Sequence, residues 1–431
     1  MIALRFRGPF ATLPADDRRA LLDRSTSADR VVAAVVADII ADVRVRGDLA
    51  LKELSARFDP VVPGSLEISR TVRRRALDSL DPALRGAMER SASNIAAVHR
   101  ASMPEPVVVT PEPGVSIVRR PDPLARVGVY APGGRAAYPS SVLMGAVPAR
   151  VAGVDEVVLC SPPSGSGAPA DIVLAAAELA GVDRVFAVGG AGAIAAMAFG
   201  TATVPRVDRV VGPGNAYVAE AKLQLVGSVA IDSPAGPSEL LVIADASVSP
   251  DIVAGEMLAQ AEHDPRACVV AVCIGEGVAA ALERSLATLI VGQPRADISG
   301  CSLRGQGGVL SVGSASDAVA VCNAYAPEHL LLACGDADAI AARIRGAGTI
   351  FIGETSSVSF GDYITGANHV LPTGGLARAY SGLSVLDFIR WTTCQHVERA
   401  AARSLSGDTA LFANAEGLPG HAMAAAGWAV A

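Results

Sequence analysis

The 431-residue sequence is poor in aromatic residues (4%) and in charged ones (18%). So few aromatics argue against an aromatic binding surface. Lys and Arg together number 36 against 43 Asp and Glu, a net charge of −7, so there is no general electrostatic footprint for nucleic acid. The basic run Arg73-Arg74-Arg75 is too short to change this. Seven cysteines form no C-x-x-C pair and are odd in number. They read as thiols of a reducing compartment, not as a disulfide frame or a Cys-type zinc site. The opening MIALRFRGPF lacks the apolar core of a signal peptide. One uncharged stretch, 185–205, is long enough to test as a membrane span. It contains four glycines and divides into strand, turn and short helix, as the interior of an α/β unit would. The expectation is a cytoplasmic protein with neither a membrane nor a nucleic-acid partner.

What is abundant is hydrophobic residues (51%) and glycine (43 residues), which suits close helix–sheet packing. Residues 27–58 and 73–101 carry helical spacing with charged faces, and 104–123 is proline-rich and extended. From ARVGVYAP onward, strands alternate with helices of about 10–15 residues, which means βαβ units and a parallel sheet. The alternation resumes at ELLVIAD, runs through ACVVAVC and returns at TIFIG. The expected fold class is α/β: two Rossmann-like parallel-sheet units of similar architecture, a helical N-terminal region and a small helical tail. The expected boundaries are 1–128, 129–236, 237–385 and 386–431, with 395–431 helical.

Several motifs carry chemistry, each beside a plainer reading. Gly190-Ala-Gly192-Ala-Ile-Ala195 matches G-x-G-x-x-A, with Asp208 eighteen residues on. Glycines there would admit a pyrophosphate to a helix N-terminus, or simply make a tight turn. Gly212-Pro-Gly214-Asn215 is a second turn after a strand, with an amide at its tip. Gln260 and His263 share a helix face at i, i+3, as metal ligands or as residues near the helix C-terminus. Pro327-Glu328-His329 places a carboxylate beside an imidazole, an acid/base pair or a surface pair. Asp362 and His369 lie in a loop rich in Gly, Thr and Asn, and Glu416 and His421 in the tail. His99 and His396 read as structural helix residues.

In series, YAPGG, GPGNAYV, AGPSE, LAQAEHD, YAPEHL, GDYITGANHVLPT, SGLSV and EGLPGH resemble the histidinol dehydrogenase family over residues 30–425. The resemblance implies a zinc-dependent, NAD-linked enzyme oxidising an alcohol to an acid in two steps. By position it implies Gln260, His263, Asp362 and His421 as zinc ligands and Glu328 and His329 as the acid/base pair. Ser238, His369 and Glu416 join these ligands and His329 in contacting substrate. Tyr130 and Asn215 match cofactor-contacting positions, and Gly192 stands where the family has a cofactor-binding glutamine. The 129–236 unit would be the cofactor-binding domain and 237–385 the unit with metal and catalytic residues. The family is a homodimer whose tail enters the partner's active site, so Glu416 and His421 would act across the interface. The alternative is a paralog with the same zinc and Glu–His chemistry on another small polar alcohol, such as a sulfopropanediol.

Overall fold

The computed structural model describes residues 3–24, 30–133 and 137–429. Residues 27–29 of the first helical stretch, Gly134 of YAPGG and residues 430–431 of the tail lie outside these. The chain opens with β1 (Phe6–Pro9), α1 (Ala15–Leu22), α2 (Arg30–Arg46), α3 (Asp48–Phe58), β2 (Glu67–Ile68), α4 (Arg70–Asp78) and α5 (Pro82–Ala101). The proline-rich segment forms an antiparallel pair, β3 (Val107–Glu112) and β4 (Val115–Pro123).

The first α/β unit runs β5 (Arg126–Tyr130), α6 (Pro139–Ala152), β6 (Glu156–Ser161), α7 (Asp171–Leu179), β7 (Arg184–Ala187), α8 (Gly190–Phe199), β8 (Arg209–Val211), α9 (Ala216–Gln224) and β9 (Ala230–Ile231). The second runs β10 (Glu239–Ala244), α10 (Pro250–Ala261), β11 (Cys268–Ile274), α11 (Val278–Leu289), α12 (Ala296–Gln306), β12 (Gly308–Val312), α13 (Ala315–Tyr325), β13 (His329–Ala333), α14 (Ala337–Ala341) and β14 (Thr349–Ile352). After them come α15 (Val358–Tyr363), β15 (Ile389–Val397), α16 (Arg399–Ala415) and α17 (Pro419–Ala426).

The sheet orders are β2-β7-β6-β5-β8-β9 and β1-β12-β11-β10-β13-β14. All pairs in these two sheets are parallel except β2 on β7. Parallel strands are covered on both faces, which is why they read as continuous apolar runs. In β10 the alternation is visible residue by residue. Leu240, Val242 and Ala244 enter one core, and Leu241 and Ile243 enter the core on the opposite face.

Four expectations change. The N-terminal region is not one helical body: β1 pairs with β12 and α1 packs on α13, whereas α2, α4 and α5 cover helices of the first unit. The short runs GVLSV and HLLLA are strands, β12 and β13, that carry no alternation to announce them. The tail begins as a strand: Ile389–Val397 pairs antiparallel with Val115–Pro123, so His396 lies in a sheet, not a helix. Cross-strand pairing overrides local propensity there. Finally, Gly361-Asp362-Tyr363 closes a short helix, α15, rather than sitting in a loop. Among the described residues no helix is long and apolar enough to cross a membrane.

Candidate active site

A cleft of about 910 Å³ lies between the two units. The first unit presents its carboxyl-terminal edge. Tyr130 ends β5, and Pro213, Gly214, Asn215 and Ala216 follow β8; all line the cleft. These strands flank the point where strand order reverses, the usual binding crevice of such sheets. The approach is close because residue 212 is glycine. Its φ is +113°, and a Cβ would lie 2.1 Å from the Tyr130 carbonyl oxygen. The turn is held from beneath. Asp232 Oδ2 accepts the Gly212 N–H (2.8 Å), Lys222 Nζ donates to the Gly212 carbonyl (2.9 Å), and Lys222 and Asp232 form a buried ion pair.

Tyr130 and Asn215 are already engaged in the protein. The Tyr130 hydroxyl oxygen accepts the N–H of Gly190 at the start of α8 (3.1 Å), and burial pushes its pKa up to about 12. Asn215 is the N-cap of α9, its Oδ1 accepting from the N–H groups of Tyr217 (3.0 Å) and Val218 (3.2 Å).

The second unit presents the opposite edge, its strand starts. Glu239 is the first residue of β10 and His329 the first of β13, and Leu240 pairs with His329 in register. Glu328 and His329 are 5% and 4% exposed. Glu328 Oε2 accepts the Glu239 N–H at 2.6 Å, and His329 Nδ1 donates to the Glu239 carbonyl at 2.9 Å. That assigns the proton to Nδ1 and leaves Nε2 as the second ring nitrogen, 3.6 Å from Asp362 Oδ1 and without a hydrogen-bond partner among the described residues. Burial pushes the Glu328 carboxyl above its ordinary value. Burial alone would lower His329, but Glu328 and Asp362 outweigh it and hold the imidazole well above its usual range. Asp362 is held below the usual carboxylate value: burial opposes this, and His329, His369 and His263 overcome it. His369 donates from Nδ1 to the Asp362 carbonyl (3.0 Å) and its Nε2 lies 3.4 Å from Ser141 Oγ; burial lowers its pKa. Ser238, His263, Glu328, His329, Asp362 and His369 all line this one cleft.

A sequence profile described as histidinol dehydrogenase matches residues 22–427. The chain is 46% identical to the histidinol dehydrogenase of Halobacterium salinarum over 96% of both chains. It is 45% identical to that of Methanothermobacter thermautotrophicus over 90% of this chain and 91% of the other. A crystal structure of histidinol dehydrogenase from Elizabethkingia anophelis superposes with a TM-score of 0.93 at 33% identity, over 99% of this chain and 98% of that one. The chain belongs to the histidinol dehydrogenase family.

Four of the positions that the family resemblance implies sit outside this cleft. Gln260, on the last turn of α10, is 2% exposed, and its amide nitrogen has no partner among the described residues. Glu416 and His421 are exposed in the tail and do not reach the cleft of their own chain. Among the described residues no three His, Cys, Asp or Glu side chains converge as a metal site. Gly192 is buried within α8, where a Cβ would point at Leu54 Cδ1 of α3, 2.9 Å away. That placement gives no support to Gly192 as a cofactor contact. The G-x-G-x-x-A run opens α8 just after β7. The first helical N–H is taken by Tyr130, and Asp208 accepts the Arg126 N–H at the far edge of the sheet (2.9 Å). Sequence reasoning missed Glu239 as a holding residue although AGPSE contains it, and missed Lys222, Asp232 and Arg24, for which no local pattern exists.

Proposed function

We propose that this protein oxidises L-histidinol through L-histidinaldehyde to L-histidine, with NAD as acceptor and zinc at the site. It would act as a cytoplasmic homodimer whose two sites are shared. The observation that carries the reading is the buried Glu328–His329 pair, fixed through Glu239 in the lining of a two-unit cleft.

The donors fit zinc as a composite set. One chain supplies an imidazole (His263), a carboxylate (Asp362) and a buried amide lacking a partner (Gln260). The unpartnered atom is the amide nitrogen, a donor; with the amide turned end for end, its oxygen would stand there as a cation ligand. The fourth ligand, His421, would come from the partner subunit, because in its own chain it is exposed and remote. The tail is suited to docking elsewhere: Leu411, Phe412 and Met423 are 73%, 69% and 76% exposed. Helix ends add to the division. α10, α12 and α13 turn their C-termini toward the cleft from the second unit, favouring a cation, while α6 and α9 turn their N-termini from the first, favouring cofactor phosphates.

When bound, zinc would supply a template for the substrate's imidazole and amine, and NAD the electron acceptor. The chain's residues do the rest. His329 takes the hydroxyl proton at Nε2 in its neutral form, which zinc on Asp362 would favour by engaging one of the carboxylates that otherwise hold the ring protonated. Glu328, anchored through Oε2, accepts a proton through Oε1 from the water that adds to the aldehyde. Burial makes it a stronger base than an exposed carboxylate. Each such group contributes about 10²–10⁴-fold in rate.

The experiment is turnover of L-histidinol by zinc-loaded protein, following NADH and histidine. Histidine should form with two NADH each, and the gene should restore growth to a histidine auxotroph. Turnover of other alcohols without histidinol turnover would overturn the reading, as would full activity in metal-free protein.

A further inference from the structure

Glu239 deserves a role of its own because its main chain touches both members of the acid/base pair. Its N–H is held by Glu328 Oε2 (2.6 Å) and its carbonyl by His329 Nδ1–H (2.9 Å). It is the first residue of β10, in register with Cys268 of β11, and its own N–H and carbonyl turn to the Glu328 and His329 side chains. What holds it is its side chain. Arg24 Nε donates to Oε1 (2.9 Å) and Arg24 Nη2 to Oε2 (3.1 Å), while the Gly374 N–H also donates to Oε1 (2.9 Å). Arg24 is itself fixed on several sides. Its Nη2 donates to the Tyr325 carbonyl (2.8 Å), its Nη1 to the Leu21 carbonyl (3.1 Å), and its guanidinium lies 3.3 Å from the Tyr325 ring centroid. The two charged side chains are 4% and 2% exposed.

A buried ion pair is weak evidence for stability, because desolvating both charges offsets most of their attraction and an apolar replacement is often neutral. What the pair supplies here is direction. A two-pronged Arg–carboxylate contact fixes a plane as well as a distance. It aims the Glu239 peptide groups, which in turn choose the protonated nitrogen of His329 and the free oxygen of Glu328. Arg24 lies just after α1, which packs on the second unit, and before α2, which packs on the first. The N-terminal segment therefore reaches the active site at the point where it passes from one unit to the other.

We propose that Arg24 and Glu239 are positioning residues: their buried pair sets the Glu239 main chain that orients His329 and Glu328 for both oxidation steps. The inference rests on the acid/base roles assigned above.

The test uses the zinc-loaded enzyme with Arg24→Met, Arg24→Lys, Glu239→Gln and the Arg24→Met/Glu239→Gln double variant. Turnover is measured with histidinol and with histidinaldehyde separately. In Arg24→Met and Glu239→Gln, kcat should fall about 10²-fold in both half-reactions, the scale of a small misplacement of reacting groups. KM for substrate and NAD should change far less than kcat, because both side chains, although they border the cleft, are almost wholly buried and bonded to each other. The double variant should be no slower than the worse single one, because both act through one anchor. Arg24→Lys, which keeps the charge and loses the fork, should fall between wild type and Arg24→Met. The ¹⁵N shifts of the His329 ring should show the Nδ1–H form losing its dominance in Arg24→Met. That spectrum is independent of turnover, so it still judges the proposal if wild-type protein fails to oxidise histidinol and the assigned activity falls. Lowered Tm with unchanged kcat and unchanged His329 spectrum would overturn it, as would losses that multiply in the double variant. If Arg24→Met does not fold, unchanged kcat and ring shifts in Arg24→Lys would overturn it alone.

Discussion

The two α/β units have the same strand order, and each adds one N-terminal strand at the same edge, β2 in the first and β1 in the second. They nevertheless meet the cleft with opposite edges. The first offers the carboxyl ends of β5 and β8, where the crevice rule for such sheets places ligands. The second offers the starts of β10, β11 and β13, while at its carboxyl-terminal edge a separate hollow of about 240 Å³ follows β10 and β11, lined by Asp245, Glu276 and mainly apolar residues. Topology alone therefore does not say which edge works. The difference shows in the groups each edge can bring. Strand carboxyl ends arrive with helix N-termini and free N–H groups. Strand starts arrive with helix C-termini, which stabilise cations and protonated imidazole. On this reading the first edge binds and the second edge reacts.

The largest effects should come from the reacting edge. His329→Asn should slow histidinol oxidation by about 10²–10⁴-fold, since the hydroxyl proton loses its acceptor. Glu328→Gln should spare that step and slow histidinaldehyde oxidation by a similar factor, because water is no longer activated. Steady-state rates with each substrate supplied separately decide it. Equal loss of both half-reactions in both variants would show that the pair works as one unit, not two.

Next in size is the tail. His421→Ala and His329→Ala chains should each be inactive. Mixed dimers should then carry one site with both defects and one with neither, restoring about half of wild-type activity per mixed dimer. No recovery, once mixed dimers are shown by mass to form, would mean that the tail serves its own chain.

Smaller effects belong to the binding edge. Tyr130→Phe removes the acceptor of the Gly190 N–H and Asn215→Ala removes the cap of α9; as both loosen turns that border the cleft, KM for NAD should rise about two- to tenfold with kcat nearly unchanged. Asn215→Ala should also cost about 1 kcal/mol of stability through its lost helix cap, seen in denaturant unfolding. A large fall in kcat with KM unchanged would erase the division between the two edges.

Much of this was legible in the sequence because its signals were local. The βαβ alternation gave both sheets, and adjacent residues such as Glu328 and His329 had to share a strand end. What stayed hidden was set by distant partners. β15 is a strand because β4 lies beside it, and β1 joins β12 across about 300 residues of chain. Arg24 meets Glu239 across 215 residues, with no pattern around either to join them. His99 was readable as structural, and its Nδ1 accepts the Val385 N–H (3.3 Å) with its pKa lowered by burial. Gly192 shows the limit of a motif match, because matching a position says nothing about which way a side chain there would face.

That position offers the smallest and most pointed test. In a Gly192→Gln variant two effects oppose each other. Removing glycine from the first turn of α8 gains less than the about 1 kcal/mol of a helix interior. Crowding the new side chain against Leu54 costs about 1–3 kcal/mol, softened because the nearest atom, Cδ1, is the end of a flexible side chain. Tm should therefore change little or drop by a few degrees, on the order of what 1 kcal/mol does in a protein of this size. KM for NAD should stay within about twofold, because the side chain leaves α8 toward α3 and away from the cleft. A KM for NAD that falls about tenfold would mean that residue 192 can reach the cofactor after all, and that α3 yields to let it.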